Sequence, residues 1–112
     1  MKKIEAIIRI NQFTQVKEAL YKIHVHGMTV SEVHGCGKQK GTREIYRGAE
    51  VYVDLLRKMK LEIVCHDESA EEIIRVICEN ARTGSIGDGK IFVSNVEDVI
   101  RIRTGERGDM SV

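Results

Sequence analysis

The chain has 112 residues, 42% of them hydrophobic, 31% charged and 4% aromatic, with a formal net charge of +1. This is the length of one domain, able to bury a real core but not two, and the composition is ordinary for a globular protein. A net charge so close to zero excludes a bulk electrostatic footprint for nucleic acid or membrane, so any anion site must be local.

Residues 3–10 alternate, Ile4, Ala6, Ile8 and Ile10 against Lys3, Glu5 and Arg9, which predicts a half-buried strand. Glu5, Arg9 and Asn11 also interrupt the apolar run too early for a secretory signal. No stretch approaches ~20 apolar residues, so a soluble, cytoplasmic protein without membrane insertion is expected. Asn11 offers an N-cap for a helix carried by Phe13, Val16, Leu20 and Ile23, and Gly27 suits its stop. Met28–Val33 reads as a second strand that ends in Gly35-Cys36-Gly37. From Lys38 to Leu56 the sequence turns polar, is punctuated by Gly41 and Gly48, and keeps no period. A structureless stretch of that length in so small a domain is usually functional or disordered. Met59, Leu61, Ile63 and Cys65 then alternate with Lys60, Glu62 and Val64 as a third strand. Ser69-Ala70-Glu71-Glu72 reads as a capping box ahead of the helical face Ile73, Ile74, Ile77 and Ala81. A strand over 91–96 follows, Val99–Thr104 alternates again, and Gly105–Val112 is a polar tail. Strand–helix–strand, a long loop, then strand–helix–strand is the split βαβ, ferredoxin-like α+β plan: one sheet with both helices on one face.

The run Arg82-Thr83-Gly84-Ser85-Ile86-Gly87-Asp88-Gly89-Lys90 holds three glycines in six residues, is closed by a lysine and opens into Ile91-Phe92-Val93. Glycines let successive amide N–H groups converge on phosphate or carboxylate oxygens, and a lysine adds a point charge. The same letters also describe an ordinary Gly-Asp-Gly turn before a strand, and spacing alone leaves both readings open. Arg101 and Arg103, two apart in a segment read as extended, would leave one face as a bidentate pair suited to phosphate, or would simply solvate an edge strand. The long loop carries Lys38, Gln39, Lys40, Arg43 and Arg47, whose basic members suit a solvated insertion or a binding loop, and Tyr46 and Tyr52 are candidates for partner contact.

Cys36, Cys65 and Cys78 form no C-x-x-C pair, and their odd count suits reduced thiols. The four histidines are scattered. His24 and His26 flank a helix end, while His34 with Cys36 and Cys65 with His66 supply too few ligands for a metal. No nucleophile stands with a base at an identifying spacing, so catalysis is not expected. An RNA-binding domain of the same fold would stack bases on aromatics of the central strands, which here offer only Phe92. A small phosphotransfer enzyme would require the missing nucleophile or base.

Several segments together resemble the PII nitrogen regulatory signal transduction proteins from end to end. They are Gly27-Met28-Thr29-Val30, Gly37-Lys38-Gln39-Lys40-Gly41, Tyr46-Arg47-Gly48-Ala49-Glu50, Ala81-Arg82-Thr83-Gly84 with Ile86–Val93, and Ile100–Glu106. The resemblance implies a single domain over 1–112, with a T-loop at 37–55, a nucleotide loop at 82–90 and a C-terminal segment at 102–112. It implies a homotrimer that binds ATP or ADP between neighbouring subunits. Gly87, Asp88, Gly89 and Lys90 would wrap the phosphates, with Lys38 at the base of the long loop and Arg101 and Arg103 reaching in from the adjacent chain. Thr29, Gly35, Cys36, Gly37 and Val64 would line the nucleotide pocket. Mg2+ and ATP would recruit 2-oxoglutarate, with Gln39 on the metal, Lys58 on a carboxylate, and the backbone of Lys40, Gly41 and Gly87 completing the site. The T-loop would report these ligands to a target, an ammonium channel or an enzyme or regulator of nitrogen metabolism, with Arg47 as the inserted side chain. Val51 stands where many members carry a uridylylated tyrosine, and Ala49 where others carry a phosphorylated serine. Lys38 in place of arginine also resembles the branch that regulates nitrogenase.

Overall fold

The computed structural model describes residues 1–36, 43–46, 49–52 and 55–112, with the backbone alone at 43–46 and 49–52. The elements in chain order are β1 (Lys2–Arg9), α1 (Phe13–Lys22), β2 (Thr29–Gly35), β3 (Arg43–Tyr46), β4 (Ala49–Tyr52), β5 (Leu56–Cys65), α2 (Asp67–Ala81) and β6 (Gly89–Asn95). Strands β2, β5, β1 and β6, in that spatial order, form one antiparallel sheet, and β3 and β4 form a separate two-stranded ladder. The fold is therefore α+β and ferredoxin-like, as the element pattern predicts.

The alternation in β1 decides which face meets the helices. Ile4, Ala6 and Ile8 are buried, and each lies across from a residue of β5 on the same face: Ile63, Leu61 and Met59. Against them pack Val16 and Leu20 of α1 and Ala70, Ile73, Val76, Ile77 and Ala81 of α2, making one core on one side of the sheet. The opposite face carries the polar half of the alternation. There Glu5 lies directly across from Glu62, a like-charge pairing that would be unfavourable alone. Lys60 bridges the two carboxylates, 2.8 Å from Glu5 and 3.0 Å from Glu62, and Lys3 stands 3.8 Å from Glu62 on the other side. Hydrogen bonds to Glu5 and Glu62 hold the Lys60 ammonium above its ordinary range, and Lys60 in turn lowers Glu62.

Five expectations differ from the structure. Asn11 does not cap α1; it lies in a 3-10 turn over Ile10–Gln12, and the N-cap is Gln12 with no side-chain cap bond. The helix stops at Lys22 rather than near Gly27, because His24 itself takes the left-handed conformation (φ 68°) and its N–H donates to the Tyr21 carbonyl. Ser69 is not a cap either: α2 begins at Asp67, with His66 as N-cap, and Ser69 lies inside the first turn. Asp67 and Glu68 place negative charge at that positive helix end, and Asp67 also pairs with the terminal ammonium at 2.9 Å. The stretch 38–56 is not structureless, since β3 and β4 pair within it. Finally, Val99–Thr104 is not a strand. Ile100 makes one isolated bridge to Arg107, and the Gly105 N–H closes a turn on the Arg101 carbonyl at 2.7 Å.

Leu61 is wholly buried at the centre of this core. Leu61→Ala should therefore cost about 2–5 kcal/mol of unfolding free energy, measured by urea titration at fixed protein concentration. A loss below ~1 kcal/mol would place the core elsewhere.

Candidate functional site

The segment from the end of α2 to the first residue of β6 is built around the left-handed backbone of three glycines: Gly84 (φ 90°), Gly87 (φ 105°) and Gly89 (φ 103°). At Gly89 the requirement is double. A Cβ there would lie 1.7 Å from the Ile7 carbonyl oxygen, so β6 can approach β1 at this point only with glycine.

The loop's shape is held by Asp88. Its Oδ2 accepts the Thr83 N–H at 2.8 Å and the Gly84 N–H at 2.9 Å, and its Oδ1 accepts the Thr83 hydroxyl and Arg9 Nε, the latter at 3.0 Å. The Thr83 hydroxyl in turn accepts the Ser85 N–H at 3.2 Å. Hydrogen bonds from Thr83, then Arg9 and Gly84, keep the Asp88 carboxyl far below the usual carboxylate range.

Two cations of the open sheet face brace the next residues. Arg9 on β1 and Lys58 on β5 are register partners. Arg9 Nη2 donates to the Ile86 carbonyl at 2.8 Å, and Lys58 Nζ to the Gly87 carbonyl at 2.7 Å. Partial burial and the neighbouring Arg9 charge push Lys58 below its ordinary range, with Asp88 pulling the other way. A trans peptide points the N–H of one residue opposite the preceding carbonyl. With those carbonyls turned to Arg9 and Lys58, the N–H groups of Gly87 and Asp88 face the other side of the loop. The Gly87 N–H has no partner among the described residues.

An open cleft of about 590 Å³ lies between this loop and the end of β2. Gly35, Cys36, Lys58, Gly87, Asp88, Gly89 and Lys90, all singled out from the sequence, line it together. Lys90 is exposed and has no ion-pair partner among the described residues. Among the described residues, Lys58 and Lys90 are the cations that line this cleft and Asp88, paired with Arg9, is its carboxylate.

Other predicted residues are not brought there. Thr29 and Val64 share the open face but sit at its far end. Thr29 is six residues along β2 from Gly35, and Val64 six along β5 from Lys58, which is ~20 Å in each case. Arg101 and Arg103 do not share a strand face, because the turn at 102–104 separates them. Arg101 pairs with Glu106 at 3.6 Å and reaches the Met110 carbonyl at 3.5 Å, while Arg103 is exposed. Gly37, Lys38, Gln39, Lys40, Gly41 and Arg47, with the side chains of Tyr46 and Tyr52, lie outside the described residues. The sequence reading missed Arg9 and Thr83. Arg9 appears in it as the polar half of an alternation and as a break in an apolar run, and its pairing with the loop exists only once β1, β5 and β6 are in register.

Among the described residues no three His, Cys, Asp or Glu side chains gather as a metal site, and no helix is long and apolar enough to cross a membrane. A family model described as nitrogen regulatory protein P-II matches residues 1–106. The chain is 60% identical to a nitrogen regulatory protein P-II of Rhizobium meliloti over 108 residues, 96% of each chain. It is 57% identical to nitrogen regulatory protein P-II 1 of Methanothermobacter thermautotrophicus over 96% of this chain and 94% of that one. It is 55% identical to the Pasteurella multocida protein over the full length of both.

Two outcomes follow from this geometry. Gly89→Ala should lower the melting temperature well beyond Gly35→Ala, whose Cβ would meet nothing within 4 Å among the described residues; equal shifts would show that β6 does not need the close approach. Because Asp88 is lowered from the ordinary 3.8, its contribution to stability is present above that value and is lost only as pH falls through the lower folded value. Its carboxyl carbon resonance should therefore stay flat from pH 7 to pH 4, and a midpoint near the ordinary value would mean the loop bonds are absent.

Proposed function

This chain belongs to the nitrogen regulatory protein P-II family, and we propose that it is a non-catalytic, cytoplasmic signal transducer that binds ATP or ADP and 2-oxoglutarate. The observation that carries the reading is the 82–90 loop: three glycines with left-handed backbone, amides turned away from the bracing cations, and the exposed Lys90 at its exit. Such an array suits the oxygens of a polyphosphate.

The spacing of the other residues supports a shared site. One nucleotide cannot lie on the loop and also rest on Thr29 and Val64 of the same protomer ~20 Å away. In a homotrimer, one copy supplies the loop, and its neighbour supplies Thr29, Val64, Arg101 and Arg103. Lys58 stands beside Gly87, so a dicarboxylate on Lys58 would meet the nucleotide at the loop. Mg2+ is held largely by ligand and water oxygens, and a single protein donor, Gln39, fits that habit. The two ligands are then mutually dependent, and each strengthens the other by the same factor. The segment 37–55, with the β3–β4 ladder inside it, would carry the bound state to a target such as an ammonium channel or a nitrogen-metabolism enzyme, through Arg47 and its neighbours Tyr46 and Tyr52.

Calorimetry tests this directly. ATP should bind alone, and 2-oxoglutarate only with Mg2+ and ATP present; keto-acid binding without nucleotide, or no ATP binding, would sink the proposal. Lys90→Ala and Arg101→Ala should each weaken ATP by about tenfold or more, the effect of losing a charged hydrogen bond, with the oligomer intact by sedimentation. Wild-type affinity in both would mean that the phosphates lie elsewhere. Arg47→Ala should spare ATP affinity and impair capture of a channel target; undiminished capture would remove Arg47 from that role.

A further inference from the structure

The Asp88 side chain is engaged entirely within the protein. Both carboxylate oxygens accept bonds from the loop itself, and one also accepts from Arg9 of the adjacent strand. A carboxylate aimed at a polyphosphate would repel it. Here its charge is opposed by Arg9 and its lone pairs are taken up by Thr83 and Gly84. The same bonds tie the start of the loop, at Thr83 and Gly84, to its end at Asp88, closing it on itself. Arg9 then fixes that closed loop to the sheet by two bonds, to Asp88 and to the Ile86 carbonyl.

We propose that Asp88 and Thr83 are positioning residues, a side-chain latch that sets the direction of the loop amides for anion binding without either side chain touching the ligand. The inference rests on the nucleotide reading of the cleft and deepens it by separating the Asp88 backbone, which faces the anion, from its carboxylate, which does not. Thr83 is the more diagnostic partner. Its hydroxyl donates to Asp88 and accepts from the Ser85 N–H, so a methyl group of the same shape cannot replace it while serine can.

A double-mutant cycle read by calorimetry tests the latch. Asp88→Ala should weaken ATP by roughly tenfold or more and Thr83→Val by a smaller factor, while Thr83→Ser stays within about twofold of wild type. The double variant Thr83→Val/Asp88→Ala should bind no more weakly than Asp88→Ala, because both remove one device. The loss should be equal with and without Mg2+. A loss confined to Mg2+-containing titrations would make Asp88 a metal contact, and additive losses or wild-type affinity in Thr83→Val would dissolve the pairing; each overturns the proposal. Amide hydrogen exchange of the unliganded protein separates the two failures. If wild-type protein bound no nucleotide, the functional reading would fall. The latch itself would still stand on slow exchange at Thr83 and Gly84 that is lost in Asp88→Ala, and fast exchange in the wild type would end it too.

Discussion

The Asp88 carboxylate has four donors around it: two backbone amides, a hydroxyl and a guanidinium. A glycine-rich segment has no preferred shape of its own, since glycine gives up more backbone freedom on ordering than any other residue. The carboxylate supplies that shape. It gathers Thr83 and Gly84 to one end of the loop and Arg9 to the sheet side, and Arg9 and Lys58 then draw the carbonyls of Ile86 and Gly87 toward the strands. The remaining amides are left facing outward as a consequence. Gly89 completes the arrangement by letting β6 start flush against Ile7.

This constraint reaches the rest of the molecule through the sheet. Arg9 and Lys58 are opposed only because the buried alternation of β1 and β5 sets their register, and a slip of one residue would turn both toward the helices. The core of Ile4, Ala6, Ile8, Leu61 and Ile63 therefore positions the site as much as it stabilises the fold. On the same open face the Glu5–Lys60–Glu62 ladder occupies the middle, and Thr29 with Val64 lies toward one end of it while Gly35 with Lys58 lines the cleft at the other. Under the proposed nucleotide reading, a ligand that used both ends, ~20 Å apart, would need two copies of the chain.

The sequence made the sheet and both helices legible because their signals are local and periodic: period two in Ile4–Ile8 and Met59–Cys65, period 3.6 in Ile73–Ala81. It misread the features that depend on partners distant in sequence or on conformations open to few residues. The four-residue strands of the β3–β4 ladder are too short for a period to register. His24 ends its helix in a conformation usually assigned to glycine, which drew attention to Gly27 instead. Ile100, Ile102 and Thr104 alternate with arginines as a strand would, yet Gly105 (φ 72°) and Gly108 (φ 73°) fold that segment into turns. The glycine loop was open to two readings, an anion cradle or a turn; it is a turn, and the candidate anion site is its outer side. Arg9 was invisible as a site residue because its partners Ile86 and Asp88 lie more than seventy positions away, at separations of 77 and 79.

The central claim is that one nucleotide site is built from two copies of this chain, with the loop from one and Arg101 from the next. Mixed oligomers test it most directly. Lys90→Ala protomers keep Arg101 but lose the loop's lysine, and Arg101→Ala protomers the reverse, so a closed ring holding both types has one boundary at which an intact loop meets an intact arginine. Nucleotide stoichiometry by native mass spectrometry should show one tightly held ATP on each mixed trimer and none on either parent. Mixed trimers that bind no better than their parents would contradict a site shared between neighbours.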